Sequence, residues 1–238
     1  MAWQPKAGYR AATDPVLLAA ACPAKPGDTV LELGCGVAVA SLCLSVRLGD
    51  LTLMGVERQA VYADLARRNA QEAGIPMQIF TADLAALPDD LRRKGFDHVI
   101  ANPPYFCSGA GIAAQDDGRE GALREATPLA IWIDTARRRL RPKGWLTVIL
   151  AANRLPCLLA ALEPGFGAVT VLPLAARFGR PASRVLVKAQ KTGGAPFTLL
   201  PPMVMHDGPE HNGDRDDYSI EAGAILRDAA AISWDARH

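Results

Sequence analysis

Apolar residues recur along this chain with two different rhythms. TVLEL at 29–33, LTLMGVE at 51–57, MQIFTA at 77–82, FDHVIA at 96–101 and WLTVILA at 145–151 are short, mainly apolar runs of strand length, as strands buried on both faces require. Between them the spacing lengthens to that of helices. In the stretch opened by Thr127 and Pro128, Leu129, Ile133, Ala136 and Leu140 return to one helical face. Helices are predicted at 13–22, 37–48, 58–73 and 154–163, with a last one near 220–232. Thr13 is placed to cap the first, with Pro15 in its first turn, and Gly74 to end the third. The segment around 84–93 reads as short or irregular helix, and 168–174 and 184–190 as two further strands.

Strands alternating with helices imply a mostly parallel sheet of seven strands with helices on both faces, an α/β fold. Residues 1–238 are expected to form one domain, with an N-terminal helical extension at 1–27 and a C-terminal arm and helix at 192–238. Residues 105–124 hold four glycines and little periodicity, which predicts a functional or mobile loop.

Composition changes this picture little. Mean hydropathy near zero, no apolar run of membrane-spanning length and no signal-peptide core lead to the expectation of a soluble, cytoplasmic protein. Five cysteines without a CxxC pair disfavour a disulfide framework or zinc cluster. The net charge of +1 excludes nothing, but basic residues cluster at 137–143 and again at Arg177, Arg180, Arg184, Lys188 and Lys191, while 207–217 leans acidic. The first cluster reads as a solvated helix face.

In parallel sheets ligands bind beyond the carboxyl ends of the strands, and three features stand there. Gly34 and Gly36 follow the first strand, where a glycine turn lets backbone approach a ligand. Glycines also end strands routinely. Glu57 ends the second strand, 21 positions after Gly36, about where an acidic residue accepts bonds from ribose hydroxyls. Asp83 ends the third and can either reach an adenine amino group or cap the next segment. Val39 occupies the position where a dinucleotide fingerprint wants a small residue, and no GKS or GKT is present, so pyrophosphate and P-loop chemistry are disfavoured.

LELGCGVA, GVE, TADL and above all NPPY at 102–105 resemble the ordered motifs of class I S-adenosylmethionine-dependent methyltransferases that modify exocyclic amino or amide nitrogens. Glu32, Gly34 and Gly36 match the glycine motif, and Ala38 replaces its third glycine, a departure expected to tighten the pocket. GYRAATDPVLLA, REGALREAT and YSIEAGAIL are similar to segments of the bacterial family that methylates N6 of adenosine beside the anticodon of a valine tRNA.

The resemblance implies a Rossmann-like fold and S-adenosyl-L-methionine as cofactor, held by Glu32, Gly34, Gly36, Glu57, Asp83 and Asn102, with no metal. It implies tRNA as partner and catalysis by Asn102, Pro103, Pro104 and Tyr105. An exocyclic amino group is a poor nucleophile because its lone pair is delocalised into the ring. The Asn102 side-chain oxygen and the Pro103 carbonyl would accept its two hydrogens and turn the lone pair out, the prolines fixing both acceptors in advance. Tyr105 would stack on the flipped base. Arg177, Arg180 and Arg184 are expected to grip phosphates if they face the same side as Asn102.

NPPY also serves enzymes acting on a protein glutamine amide or on guanine N2 of ribosomal RNA, and a DNA adenine methyltransferase or a non-catalytic RNA-binding protein could keep the fold. Cys107 is read as an ordinary loop cysteine, Cys157 as packing and His98 as structural; His206 and His211 have no evident ligand set.

Overall fold

Strand β1 (Thr29–Leu33) lies at the centre of one large sheet in the computed structural model, which describes residues 2–6, 8, 10–104, 106–107, 124–125, 127–211 and 216–235. Parallel to it run β2 (Thr52–Glu57) on one side and β4 (Phe96–Ala101) on the other. Beyond them, again parallel, lie β3 (Met77–Thr81) and β7 (Leu140–Ala151). β9 (Ala182–Lys191) is antiparallel to β7, and β8 (Phe166–Ala175) antiparallel to β9. Of the nine strands, β10 (Thr198–Leu199) and β11 (Met203–Val204) have two residues each and pair with β8, so the predicted arm enters the sheet. Two further short strands, β5 (Phe106–Cys107) and β6 (Arg124–Glu125), pair only with each other. The chain leaves β1 toward β2 but returns to its other side at β4. That reversal opens a crevice at the carboxyl ends of the strands.

The period of two along the strands divides the core. Leu31, Leu33, Val99, Leu146, Val148 and Leu150 face a layer containing α5 (Leu129–Arg139) and α6 (Leu155–Leu162), joined by Leu91 of the one-turn α4 (Asp89–Arg92). Val30, Ile100, Ile149, Leu172 and Leu186 face α1 (Asp14–Ala21), α2 (Val39–Leu48) and α7 (Ile220–Asp228) on the other side. α3 (Ala60–Glu72) packs against β2 and β3, with Ala63 and Ala66 meeting Ile79.

Several expectations need correction. Thr13 makes no capping bond, because its backbone is already helical at φ −74° and ψ −27° rather than extended. Asp14 instead ties the start of α1 to Arg184 of β9, with carboxylate and guanidinium 3.0 Å apart. β7 begins at Leu140, not 145, because Arg141 ion-pairs with Asp97 of β4 and the Lys191 ammonium donates to the Leu140 carbonyl. Cys157 is exposed rather than packed, and the side chain of Cys107 lies outside the described residues. His98 is buried against the Asp28 carboxylate, 3.0 Å away, far from the strand ends that form the crevice.

Ala38 is not among the residues that line the cavity at the strand ends. Fully buried, it packs with Cys35, Ala63 and Ala66, and its cost is conformational, a left-handed φ of +67°.

The extremities close on α1. The Ile232 N–H donates to the Ala20 carbonyl at 2.9 Å, and the Trp234 indole N–H to that of Ala21 at 2.7 Å.

The helix layer comes close to the sheet at the end of β1. Gly34 has φ +60°, and a Cβ there would stand 2.3 Å from Cη2 of Trp132 on α5. Gly34→Ala therefore combines a left-handed alanine with a steric clash and should lose about 2–4 kcal/mol of stability. Urea unfolding midpoints check this, and adding Trp132→Leu should recover part of the loss.

Candidate active site

At the crevice, a cavity is bounded by Gly34–Val37 after β1, Glu57–Gln59 after β2 and Asn102–Pro104 after β4. Trp132 and Thr127 close one side, and Ala11 and Pro15, at the start of α1, the other. Of the sequence-predicted residues, Glu32, Gly34, Gly36, Glu57, Asn102, Pro103 and Pro104 converge here. Tyr105 lies outside the described residues, as does most of the loop 105–124. The cavity takes Ala82 and Leu84 on either side of Asp83 but not Asp83 itself, whose Oδ1 accepts the Ala85 N–H at 2.8 Å. That is the local turn-forming role, the alternative to adenine recognition.

Glu57 joins two strand ends. Its Oε2 accepts the Gly36 N–H at 3.0 Å and its Oε1 the Gln59 N–H at 2.8 Å, fixing the glycine turn from the neighbouring strand. Burial raises its pKa, opposed by these backbone N–H groups.

Glu32 points from β1 into the first turn of α2, where Oε2 accepts the Ser41 N–H at 3.0 Å and the Ser41 hydroxyl. Burial pushes its carboxyl up to about 7, against the lowering effect of the Ser41 bonds. Two buried carboxylates beside a glycine turn suit a ligand carrying sugar hydroxyls and positive charge. At Gly36 a Cβ would meet nothing within 4 Å, so the turn leaves open space on its cavity side. These residues fit a sulfonium nucleoside.

Two contributors escaped the sequence reading. Trp132 gave only a core-like helical signal, yet its ring lies over Gly34 and its indole N–H donates to the Thr127 carbonyl at 3.2 Å. Arg154 sits just after β7, at a parallel strand end where the rule applied to Glu57 and Asn102 would have found it. It is 5% exposed and its guanidinium donates to the Pro104 carbonyl, clamping the Asn-Pro-Pro segment from the next strand.

The arginines expected to grip phosphates divide. Arg177 is engaged by the Asp217 carboxylate and the Asp207 and Gly208 carbonyls, and Arg184 by Asp14. Only Arg180 of the three is exposed. His206 and His211 both approach the same Asp217, at 2.7 and 3.0 Å. Hydrogen bonds from Arg177 first, then His211, hold that carboxyl far below its ordinary range. The other basic cluster lies at the amino edge of the sheet, with Arg137 and Arg138 paired to Asp134 and Arg141 to Asp97.

The family profile described as "Methyltransferase small domain" matches residues 12–179, more than half of the chain and all the strand ends that form the cavity. The chain belongs to this family. It is an S-adenosyl-L-methionine-dependent methyltransferase of class I fold. Among its relatives is a tRNA1(Val) (adenine(37)-N6)-methyltransferase of Dickeya chrysanthemi, 29% identical over 82% of this chain and 78% of that one. A protein of the same name from Porphyromonas gingivalis is 32% identical over 61% of this chain and 60% of its own. The fold is shared with a crystal structure of a predicted O-methyltransferase from Agrobacterium tumefaciens, at TM-score 0.73, 24% identity, 94% of this chain and 99% of that one. No helix among the described residues is long and apolar enough to cross a membrane.

Two expectations follow. The folded pKa of Glu32 lies above its unfolded value, so its contribution to stability is full below about 4.5 and is lost as pH rises through about 7. Glu32→Gln should therefore raise the melting temperature of the cofactor-free protein at pH 8, by a margin that shrinks toward pH 4.5, while weakening cofactor binding. A scan of melting temperature against pH tests the sign. Arg154→Ala should lower kcat by about tenfold or more through loss of a buried charge-assisted bond, worth roughly 1.5–3 kcal/mol. The cofactor Kd should stay as in wild type, and Arg154→Lys should recover part of kcat; single-turnover rates beside cofactor titrations separate the two effects.

Proposed function

We propose that this protein methylates the exocyclic N6 amino group of an adenosine in tRNA, with adenosine 37 of a valine tRNA as the first candidate. The observation that carries the reading is that Asn102–Pro103–Pro104 lines the same cavity as the Glu57–Gly36 cradle. Nucleophile holder and cofactor holder thus share one space. The relatives named above support adenine in tRNA as the acceptor.

S-adenosyl-L-methionine, when bound, supplies a methyl carbon attached to positively charged sulfur. Glu57 would accept the ribose hydroxyls while keeping its bond to Gly36, and Gly34 and Gly36 would let backbone approach the nucleoside. Asp83 stands just outside the cavity lining with Oδ1 taken by the Ala85 N–H, so only its other oxygen would be left to accept the adenine amino group. Glu32, across the turn, would add negative charge to the wall of the cavity that suits a cationic ligand.

For the substrate, Asn102 offers its side-chain oxygen and Pro103 its carbonyl to the two amino hydrogens. The nitrogen lone pair, drawn out of conjugation, would then point at the methyl carbon, the new N–C bond replacing the C–S bond and the surplus amino proton passing to solvent. Ring closure at Pro103 and Pro104 and the Arg154 clamp hold those acceptors in place before substrate arrives. Tyr105, outside the described residues, is the candidate to stack on the base. No covalent intermediate with the enzyme is required, and positioning supplies most of the acceleration.

Purified protein, cofactor and bulk tRNA, followed by mass spectrometry of the nucleosides, test the reading. N6-methyladenosine is expected. Its absence, with methyl transfer to a glutamine peptide instead, would overturn it. In the same assay Asn102→Ala should lose about 10²–10³ in turnover with little change in cofactor affinity; near-wild-type turnover would remove Asn102 from the mechanism.

A further inference from the structure

Phe178 is the most exposed aromatic side chain among the described residues, at 91%. It stands at the tip of the turn between β8 and β9. β8 is antiparallel to β9, β9 to β7, and β7 is parallel to β4, so β8 ends at the same edge of the sheet as β4. The tip therefore emerges on the side of Asn102. β8 lies three strand spacings from β4, roughly 14 Å at about 4.8 Å each.

The tip is built rigidly. The Arg180 N–H donates to the Arg177 carbonyl at 3.1 Å, and Gly179 has the positive φ, +73°, that the third position of a type II turn requires. Phe178 thus takes the second position, with exposed Arg180 beside it. Below the turn, Arg177 is bolted to Asp217, Asp207 and Gly208 of the adjoining segment. That segment hydrogen-bonds to the end of β8 through the His206 N–H and the Ala176 carbonyl, 2.9 Å apart.

We propose that Phe178 is a stacking platform for an unpaired nucleotide flanking the one that enters the cavity, with Arg180 on the adjoining phosphate. This rests on the tRNA reading above. An aromatic face paired with a guanidinium on a fixed turn is what single-stranded bases stack on. Charge identifies stacking as the main contribution. Among the described residues of the adjoining segment Asp217 is paired with Arg177 and Asp216 with Arg227, but Asp207 and Glu210 remain exposed in the segment that adjoins Arg180. A phosphate grip alone would gain little there.

Binding of bulk tRNA and of an anticodon stem-loop RNA to wild type, Phe178→Ala, Phe178→Trp and Arg180→Ala provides the test. Phe178→Ala should weaken RNA binding about tenfold or more, the range of one base stack, and leave cofactor Kd and kcat at saturating RNA unchanged. Phe178→Trp should bind at least as well as wild type and show extra emission quenched by RNA. Arg180→Ala should flatten the salt dependence by at most about one unit. Undiminished RNA binding by Phe178→Ala would overturn the proposal and leave the tRNA reading standing. A wild-type dimer made monomeric by Phe178→Ala, with RNA affinity unchanged, would assign the tip to self-association and also overturn it. Wild-type protein with no tRNA affinity at low salt would overturn both.

Discussion

The bond from the Gly36 N–H to the Glu57 carboxylate holds the site together. β1 is buried on both faces between β2 and β4, so its end cannot shift without moving the whole sheet. The chain must turn there within a few residues, and Gly34 and Gly36 do so with positive φ. A left-handed glycine turn has many alternatives in solution. The carboxylate from the next strand selects one of them and leaves its remaining acceptor capacity facing the cavity. Trp132 takes up the space that the missing side chain of Gly34 leaves on the opposite side. Remove either support and both the glycine turn and the ligand surface it forms would lose definition.

That arrangement opposes stability. Both Glu32 and Glu57 are buried, and burial raises the pKa of each, so at neutral pH the charged forms that suit a cationic ligand are also those the fold resists. Backbone and hydroxyl donors offset part of the cost. A bound cation would offset more, so ligand and fold stabilise one another through the same two carboxylates.

Much of this was legible in the sequence, for identifiable reasons. The parallel strands β1, β2 and β4 are two-sided and apolar, a pattern few helices imitate at that length, and their carboxyl ends therefore located Gly34, Gly36, Glu57 and Asn102. What was missed lay where one residue type serves two purposes. Trp132 looks like any core residue on a helix until the glycine beneath it is placed. Arg154 follows a parallel strand end like Glu57 and Asn102, but only the fold shows that it supports a motif 50 positions away. The three arginines after β8 could not be sorted by composition, since only the folded chain reveals that Arg177 and Arg184 meet carboxylates from Asp217 and Asp14. Thr13 failed as a cap because the helical conformation already includes it.

The closure of Ile232 and Trp234 onto α1 has a consequence for the order of assembly. Ala11 and Pro15, at the start of that helix, form one wall of the cavity, while Ala20 and Ala21 at its end receive bonds from residues more than two hundred positions later. During synthesis the glycine turn, Glu57 and Asn102 emerge early, facing a helix whose far end is held by Arg47 of α2 but still lacks its C-terminal partners. The cofactor wall acquires its full backing only when residue 234 has cleared the ribosome, so a nascent chain carries the site's chemistry before it carries the site's rigidity.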